Sequence, residues 1–107
     1  MEAFEKLYEA ALERKVSPKE NSYTNYLLDK GVEKITKKVG EESTEVVIAA
    51  IKRDNAELVT ELADLFYHLA VLMVNQGVAP EDVKAELKRR SEKEGNLKPE
   101  RKPIKDI

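Results

Sequence analysis

Apolar residues recur at helical spacing along most of the chain. Near the start, Phe4, Leu7, Tyr8 and Ala11 fall on one face with charged residues opposite them. This pattern is typical of an amphipathic helix, here over residues 2–14. No stretch alternates apolar and polar residues as a half-buried strand would, and no segment is repeated. The sequence therefore predicts an all-α protein.

Capping and stop signals delimit four further helices. Ser22 is a predicted N-cap and Gly31 a predicted stop for a short helix, and Asp54 and Asn55 are predicted to separate two long ones. Gly77 is a predicted stop for the second long helix, and Pro80 suits the first turn of the last one. The predicted helices cover residues 2–14, 22–29, 32–52, 56–76 and 80–94.

The two long helices carry apolar stripes that predict a hairpin packed on itself. The first stripe comprises Ile35, Val39, Val46 and Ala49, and the second Leu58, Leu62, Leu65, Leu69 and Leu72. The second helix has another apolar face, formed by Ala63, Phe66, Ala70 and Met73. One small bundle cannot cover both faces, so we expect a helical bundle with a long central hairpin that dimerises into a four-helix core.

Composition narrows the class of protein. A length of 107 residues suits one domain, predicted over 1–95, followed by a basic tail over 96–107. The formal net charge of -2 gives no basic field for nucleic acid, and the absence of cysteine excludes disulfides and thiolate chemistry. No window resembles a signal peptide or a membrane span, so we expect a soluble cytoplasmic protein without nucleic-acid or membrane partners.

Two groups of carboxylates lie beside the apolar stripes. Glu41, Glu42 and Glu45 interrupt the first stripe, and Glu61 and Asp64 flank the second. Carboxylates held together away from water repel one another, and each needs a cation or a raised pKa. Mg²⁺ prefers oxygen ligands and leaves positions open for water and phosphate. The pattern therefore predicts a magnesium site.

An antiparallel hairpin would bring the two acidic groups to similar heights. The predicted ligands of one or two Mg²⁺ ions are Glu42, Glu45, Glu61 and Asp64. Glu41 is close enough to act as a further ligand or as a base. Lys34 and Lys38, one and two turns earlier, are predicted to bind substrate phosphate.

These residues also admit two other interpretations. Glutamate pairs on helices are commonly solvated, but two acidic strips facing each other across a turn favour metal binding. A ferritin-like di-iron site requires two Glu-x-x-His pairs, whereas the chain has one histidine, His68. His68 is predicted to support the site without binding the metal.

The same segments resemble a known family. The segments concerned are Ser22-Tyr23-Thr24, Gly31, KKVGEESTEVVIAA from Lys37 and ELADLFYHLAVLM from Glu61. They are similar to the corresponding segments of phosphoribosyl-ATP pyrophosphatases, which belong to the all-α nucleotide pyrophosphohydrolase (MazG-like) superfamily. The likeness covers about residues 4–90. The acidic motifs are shared with the whole superfamily, and the SYT, KVGEE and ADLxYH elements are those of the histidine-biosynthesis branch.

The resemblance implies a Mg²⁺-dependent homodimeric enzyme that hydrolyses the α-β phosphoanhydride of phosphoribosyl-ATP, giving phosphoribosyl-AMP and pyrophosphate. It implies metal binding by the acidic residues above, and substrate contacts by Tyr23 and Thr24. Arg89 and Arg90 could close over a phosphate. The alternatives are a housecleaning nucleoside triphosphate pyrophosphatase with the same metal site and a non-enzymatic helical interaction module.

Overall fold

The computed structural model describes residues 1–93, and all of its regular structure there is helical. The elements are α1 (Glu2–Val16), α2 (Tyr23–Lys30), α3 (Val32–Ile51), α4 (Asn55–Gln76) and α5 (Pro80–Ser91). Residues 1–93 contain no strand, which confirms the all-α prediction. None of these helices is both long and apolar enough to cross a membrane. The predicted tail, 96–107, lies outside the described residues.

Local capping residues set most helix ends. The Ser22 hydroxyl accepts a hydrogen bond from the backbone N–H of Asn25 at 3.1 Å. The Asp54 carboxylate accepts from the N–H of Glu57, also at 3.1 Å. Gly77 ends α4 in the left-handed conformation, at φ 73°, which glycine adopts without steric cost. These predicted signals are confirmed.

The connection between α3 and α4 differs slightly from the prediction. Residues 52–54 form the turn, and Arg53 adopts a left-handed φ of 59°. Asn55, predicted to belong to the break, is the first residue of α4, because the side chain of Asp54 already caps the helix. The turn is therefore short, and it keeps the two long helices side by side.

The core lies around the C-terminal half of α4. Ala11 from α1, Leu27 from α2 and Ile35 from α3 form one buried cluster with Val71 and Val74 of α4. Ala49 is also buried, whereas Val39 and Val46 are half-buried. The five predicted core leucines of α4 are likewise only half-buried. Since α1 and α2 contribute to the cluster around Val71 and Val74, that part of α4 is the part enclosed within a single chain.

The second apolar face of α4 is partly covered within the chain. Ala70, predicted to face a partner, is completely buried. Phe66 packs edge-on against Phe4 of α1, with ring centroids 6.3 Å apart. The prediction that Ala70 lies on an open face is therefore wrong, because the chain itself buries this residue, whereas Ala63 is exposed and Phe66 and Met73 are half-buried. Exposed apolar side chains cluster instead near the α3–α4 turn, and we call Val47, Ile48, Ile51 and Val59 the turn-end patch.

Candidate metal centre

Carboxylates from α3 and α4 form two overlapping groups. Glu42, Glu61 and Asp64 each place one oxygen within 4.8 Å of the others, and Glu45, Glu57 and Glu61 do the same. Glu61 belongs to both groups. The structure thus brings together all four residues predicted as metal ligands, with Glu45 in the neighbouring group and not directly beside Glu42 and Asp64.

The hairpin explains this arrangement. Glu45 lies beside Glu57 and Glu61, whereas Glu42, one turn earlier on α3, lies beside Glu61 and Asp64. Residues earlier in α3 therefore contact residues later in α4, which means that the two helices are antiparallel. Acidic residues spaced three or four apart on each helix therefore face one another across the hairpin.

Sequence reasoning missed Glu57. At the first turn of α4 it has an ordinary explanation, since a negative side chain there interacts favourably with the helix dipole. It also forms an ion pair with Lys52 at 3.6 Å. The available signal was its spacing, four residues before Glu61, which places both carboxylates on one face.

Burial and repulsion between like charges both act on this cluster. Partial burial, followed by the negative charges of Glu42, Glu45, Asp64 and Glu57, raises the pKa of Glu61. Within residues 1–93, Glu45, Glu61 and Asp64 form no ion pair with a cationic side chain. Carboxylate oxygens without a protein cation are the ligands that a hard divalent ion prefers. The donor set therefore fits Mg²⁺.

Lys38 is the cation adjacent to this cluster. Its ammonium nitrogen lies 3.5 Å from a Glu41 oxygen and 3.9 Å from a Glu42 oxygen. Partial burial alone would lower the pKa of Lys38, but the charges of Tyr23, Glu41 and Glu42 raise it overall. Glu41 is exposed and belongs to neither carboxylate group. Its predicted role as ligand or base stays a prediction.

Tyr23 is tied to the metal centre through His68. The buried His68 ring donates from Nδ1 to the Asp64 carbonyl oxygen at 2.8 Å. In the neutral ring Nε2 is then an acceptor, and it lies 3.0 Å from the Tyr23 hydroxyl. Burial also raises the pKa of Tyr23, which keeps the phenol protonated as the donor. His68 thus satisfies both ring nitrogens and fixes α2 beside Asp64.

A second hydrogen bond strengthens the attachment of α2 to α4. The hydroxyls of Thr24 and Tyr67 form a hydrogen bond with each other. Thr24 is half-buried, so this bond accounts for its side chain without a ligand. The predicted substrate contact of Thr24 stays a prediction.

Lys34 lies apart from the carboxylates. Its ammonium nitrogen is 6.0 Å from the centre of the Tyr26 ring, and that of Lys30 is 5.9 Å from the same ring. Tyr26 stacks on Tyr23 with centroids 6.1 Å apart, and Tyr23 stacks on Tyr67 at 6.0 Å. Sequence reasoning missed Tyr26, Tyr67 and Lys30. The helical spacing from Tyr23 to Tyr26 and from Tyr26 to Lys30 within α2 was the available signal.

Comparison with known proteins gives the family of the chain. Residues 4–91 match the family model described as phosphoribosyl-ATP pyrophosphohydrolase. The chain is 51% identical to the phosphoribosyl-ATP pyrophosphatase of Clostridium novyi over 107 residues, covering all of this chain and 97% of that protein. It is 57% identical to the enzyme of the same name from Streptococcus thermophilus over 102 residues, 95% of this chain and 97% of that protein. A Listeria innocua relative with that name is 54% identical over 94% of this chain and 96% of its own length. The chain belongs to the phosphoribosyl-ATP pyrophosphohydrolase family.

Proposed function

We propose that this chain hydrolyses the α-β phosphoanhydride of phosphoribosyl-ATP, releasing pyrophosphate and phosphoribosyl-AMP in histidine biosynthesis. The observation that carries the proposal is the pair of carboxylate groups sharing Glu61, found in a chain of this family. A helical module with solvated acids would not need its carboxylates gathered at one place against their repulsion. A cytoplasmic location is part of the same proposal.

The metal proposed for this site is Mg²⁺. Glu42, Glu61 and Asp64 would hold it in one group, and Glu45 with Glu57 would extend the site through Glu61. When bound, Mg²⁺ supplies charge neutralisation for the triphosphate and for the leaving pyrophosphate. All the donors are oxygens, which suits this ion better than softer metals.

The residues around the carboxylates are proposed to position the substrate and the water. Lys38 presents an ammonium group at the edge of the cluster, where it can contact a phosphate oxygen. Glu41 is solvent-accessible beside it and would accept a proton from the attacking water. Tyr23, held by His68, lines the same side of the site.

Turnover measurements test the proposal directly. Purified protein with Mg²⁺ should release pyrophosphate from phosphoribosyl-ATP, lose this activity in EDTA and regain it when Mg²⁺ is restored. ATP, dATP and noncanonical nucleoside triphosphates provide the comparison. Faster turnover of any of these would favour the housecleaning alternative, and full activity in EDTA would contradict the metal assignment.

We further propose that the chain forms a homodimer through the turn-end patch. Ile51 is 76% exposed and Val59 is 68% exposed in the single chain. Exposed apolar side chains at one end of a hairpin favour a partner, and twofold pairing is the commonest way to cover a repeated patch. Two hairpins packed in this way would form the predicted four-helix core.

Light scattering after gel filtration tests the dimer. Ile51→Glu should yield a monomer, because a charge at this exposed position costs little in a single chain but much in an apolar interface. Val16→Glu is the matched control, since Val16 is 78% exposed at the end of α1, and it should remain dimeric. A monomeric wild-type chain at micromolar concentration would contradict the proposal.

A further inference from the structure

Two lysines, Lys30 at the end of α2 and Lys34 in the first turn of α3, lie over an aromatic ring and not beside a carboxylate. Lys30 and Lys34 both place their ammonium nitrogens about 6 Å from the Tyr26 ring centre. In the part of the chain that the structure describes, neither forms an ion pair, although the chain has 21 acidic residues. An anion bound at this ring could contact both cations, which favours a doubly charged group.

The aromatic row links these lysines to the metal centre. Tyr26 stacks on Tyr23, and the Tyr23 hydroxyl is hydrogen-bonded to Nε2 of His68. The other ring nitrogen of His68 is hydrogen-bonded to the backbone carbonyl oxygen of Asp64. Tyr26 is nevertheless 43% exposed and Tyr23 is 46% exposed. An ordered row of tyrosines left open to solvent can pack against a flat or sugar-like part of a ligand.

The spacing along the chain sets the separation of the two charged regions. Lys34, Lys38 and Glu42 follow one another at intervals of four residues on α3. At a rise of 1.5 Å per residue, Lys34 lies about 12 Å along the helix axis from Glu42. A ligand that reaches both regions therefore needs two anionic ends joined by a spacer of nucleoside dimensions.

The substrate of the proposed function has this form. Its triphosphate is at one end, and its phosphoribosyl group carries a second phosphate beyond the purine. We propose that Lys30 and Lys34, held over Tyr26, bind this distal phosphate monoester while Lys38 contacts the triphosphate. This inference rests on the proposed function, and it makes the lysine pair the feature that distinguishes phosphoribosyl-ATP from ATP.

Metal-free binding separates this site from catalysis. Calorimetry in EDTA would measure the binding of phosphoribosyl-AMP and of AMP to three proteins: the wild type, the double variant Lys30→Gln/Lys34→Gln and the control Lys37→Gln. The control removes an exposed lysine from α3, the helix that carries Lys34. Phosphoribosyl-AMP should bind the double variant on the order of tenfold more weakly than the wild type or the control. The affinity for AMP should be the same in all three proteins.

Kinetics provide the second readout. In the double variant the KM for phosphoribosyl-ATP should rise by a similar factor while kcat is retained, and unchanged thermal melts would show that the fold is intact. An equal loss of affinity for AMP and phosphoribosyl-AMP, or no loss for either, would overturn the distal-phosphate site. A wild-type enzyme that does not hydrolyse phosphoribosyl-ATP would instead overturn the proposed function, whatever the lysine variants bind.

Discussion

Glu61 in the metal centre and Glu86 on α5 are the same residue type in opposite surroundings. Glu86 accepts hydrogen bonds at 2.9 Å from Nε of both Arg89 and Arg90, and these bonds lower its pKa to about 2. Glu61 is surrounded by other carboxylates, and its pKa is raised. Both side chains are half-buried. Burial raises the pKa of both carboxyl groups, but the arginines reverse the shift at Glu86, whereas the neighbouring carboxylates add to it at Glu61.

The comparison separates acids that stabilise the fold from acids that await a ligand. On α5, Glu86 is paired with Arg89 and Arg90, the two arginines predicted to close over a phosphate. At Glu61 the protein leaves negative charge uncompensated, at a cost to its own folding. Of the many charged residues in this chain, the uncompensated ones are therefore the better guide to function.

The largest expected effect is the loss of activity on Asp64→Asn. This change keeps the shape of the side chain but removes a carboxylate from the group with Glu42 and Glu61. Even the partners of metal ligands cost about 10- to 100-fold when mutated, so we expect a loss of about a hundredfold or more in kcat/KM. Glu86→Gln is the matched control and should keep wild-type turnover of phosphoribosyl-ATP. Equal losses in the two variants would remove the distinction between the regions.

A smaller effect is expected on the stability of the metal-free protein. Because the pKa of Glu61 in the folded protein lies above its ordinary value of 4.5, the folded state binds this proton more tightly than the unfolded state, and stability falls as the pH rises through that window. Glu61→Gln should therefore raise the melting temperature in EDTA at pH 7. The gain should disappear below pH 4.5, where Glu61 is protonated in both states. Added Mg²⁺ should reverse the order at neutral pH, since the wild type gains a ligand that the variant binds less well. A lower melting temperature for the variant in EDTA would identify Glu61 as a structural partner.

The smallest effect is expected for Glu86→Gln, with the opposite sign. The stabilisation from Glu86 is fully present above the ordinary glutamate pKa of 4.5 and is lost as the pH falls toward about 2. The variant should melt slightly below the wild type at neutral pH, and the difference should vanish near pH 2. The difference should also shrink in high salt, because the arginine partners of Glu86 are open to solvent. Circular dichroism melts across this pH range make the measurement. A difference that persists at the acid end of the range would mean that packing and not charge is responsible.

Sequence alone was sufficient where local chemistry decides the structure. Ser22, Asp54 and Gly77 act on backbone groups within a few residues, so their effects on helix ends can be predicted without knowledge of the fold. The convergence of Glu42, Glu61 and Asp64 also followed from local information, namely helical spacing and a short turn. These helix ends and this convergence were predicted correctly, and metal binding by the carboxylates stays a prediction.

Sequence was insufficient where packing between distant segments decides. The leucine stripe of α4 has the spacing of a core face, yet His68, Ala70, Val71 and Val74 are the buried residues. Which side of α4 receives α1 and α2 depends on contacts far apart in the chain, such as that between Phe4 and Phe66. Lys34 was predicted to bind phosphate, but its contact with Tyr26 was not predicted for the same reason, since that ring lies on a different helix.

The short α3–α4 turn also has a consequence for the order in which the site is assembled during folding. Joining Glu45 to Glu57 closes only a small loop of chain, and small loops lose little conformational entropy on closure. The hydrogen bond between Tyr23 and His68 joins residues that are 45 positions apart in the sequence, so it closes a much longer loop. Because local contacts form faster than distant ones, the acidic cluster should form with the hairpin in the first compact species. The tyrosine row, and with it the distal-phosphate site, should be completed only when α2 docks.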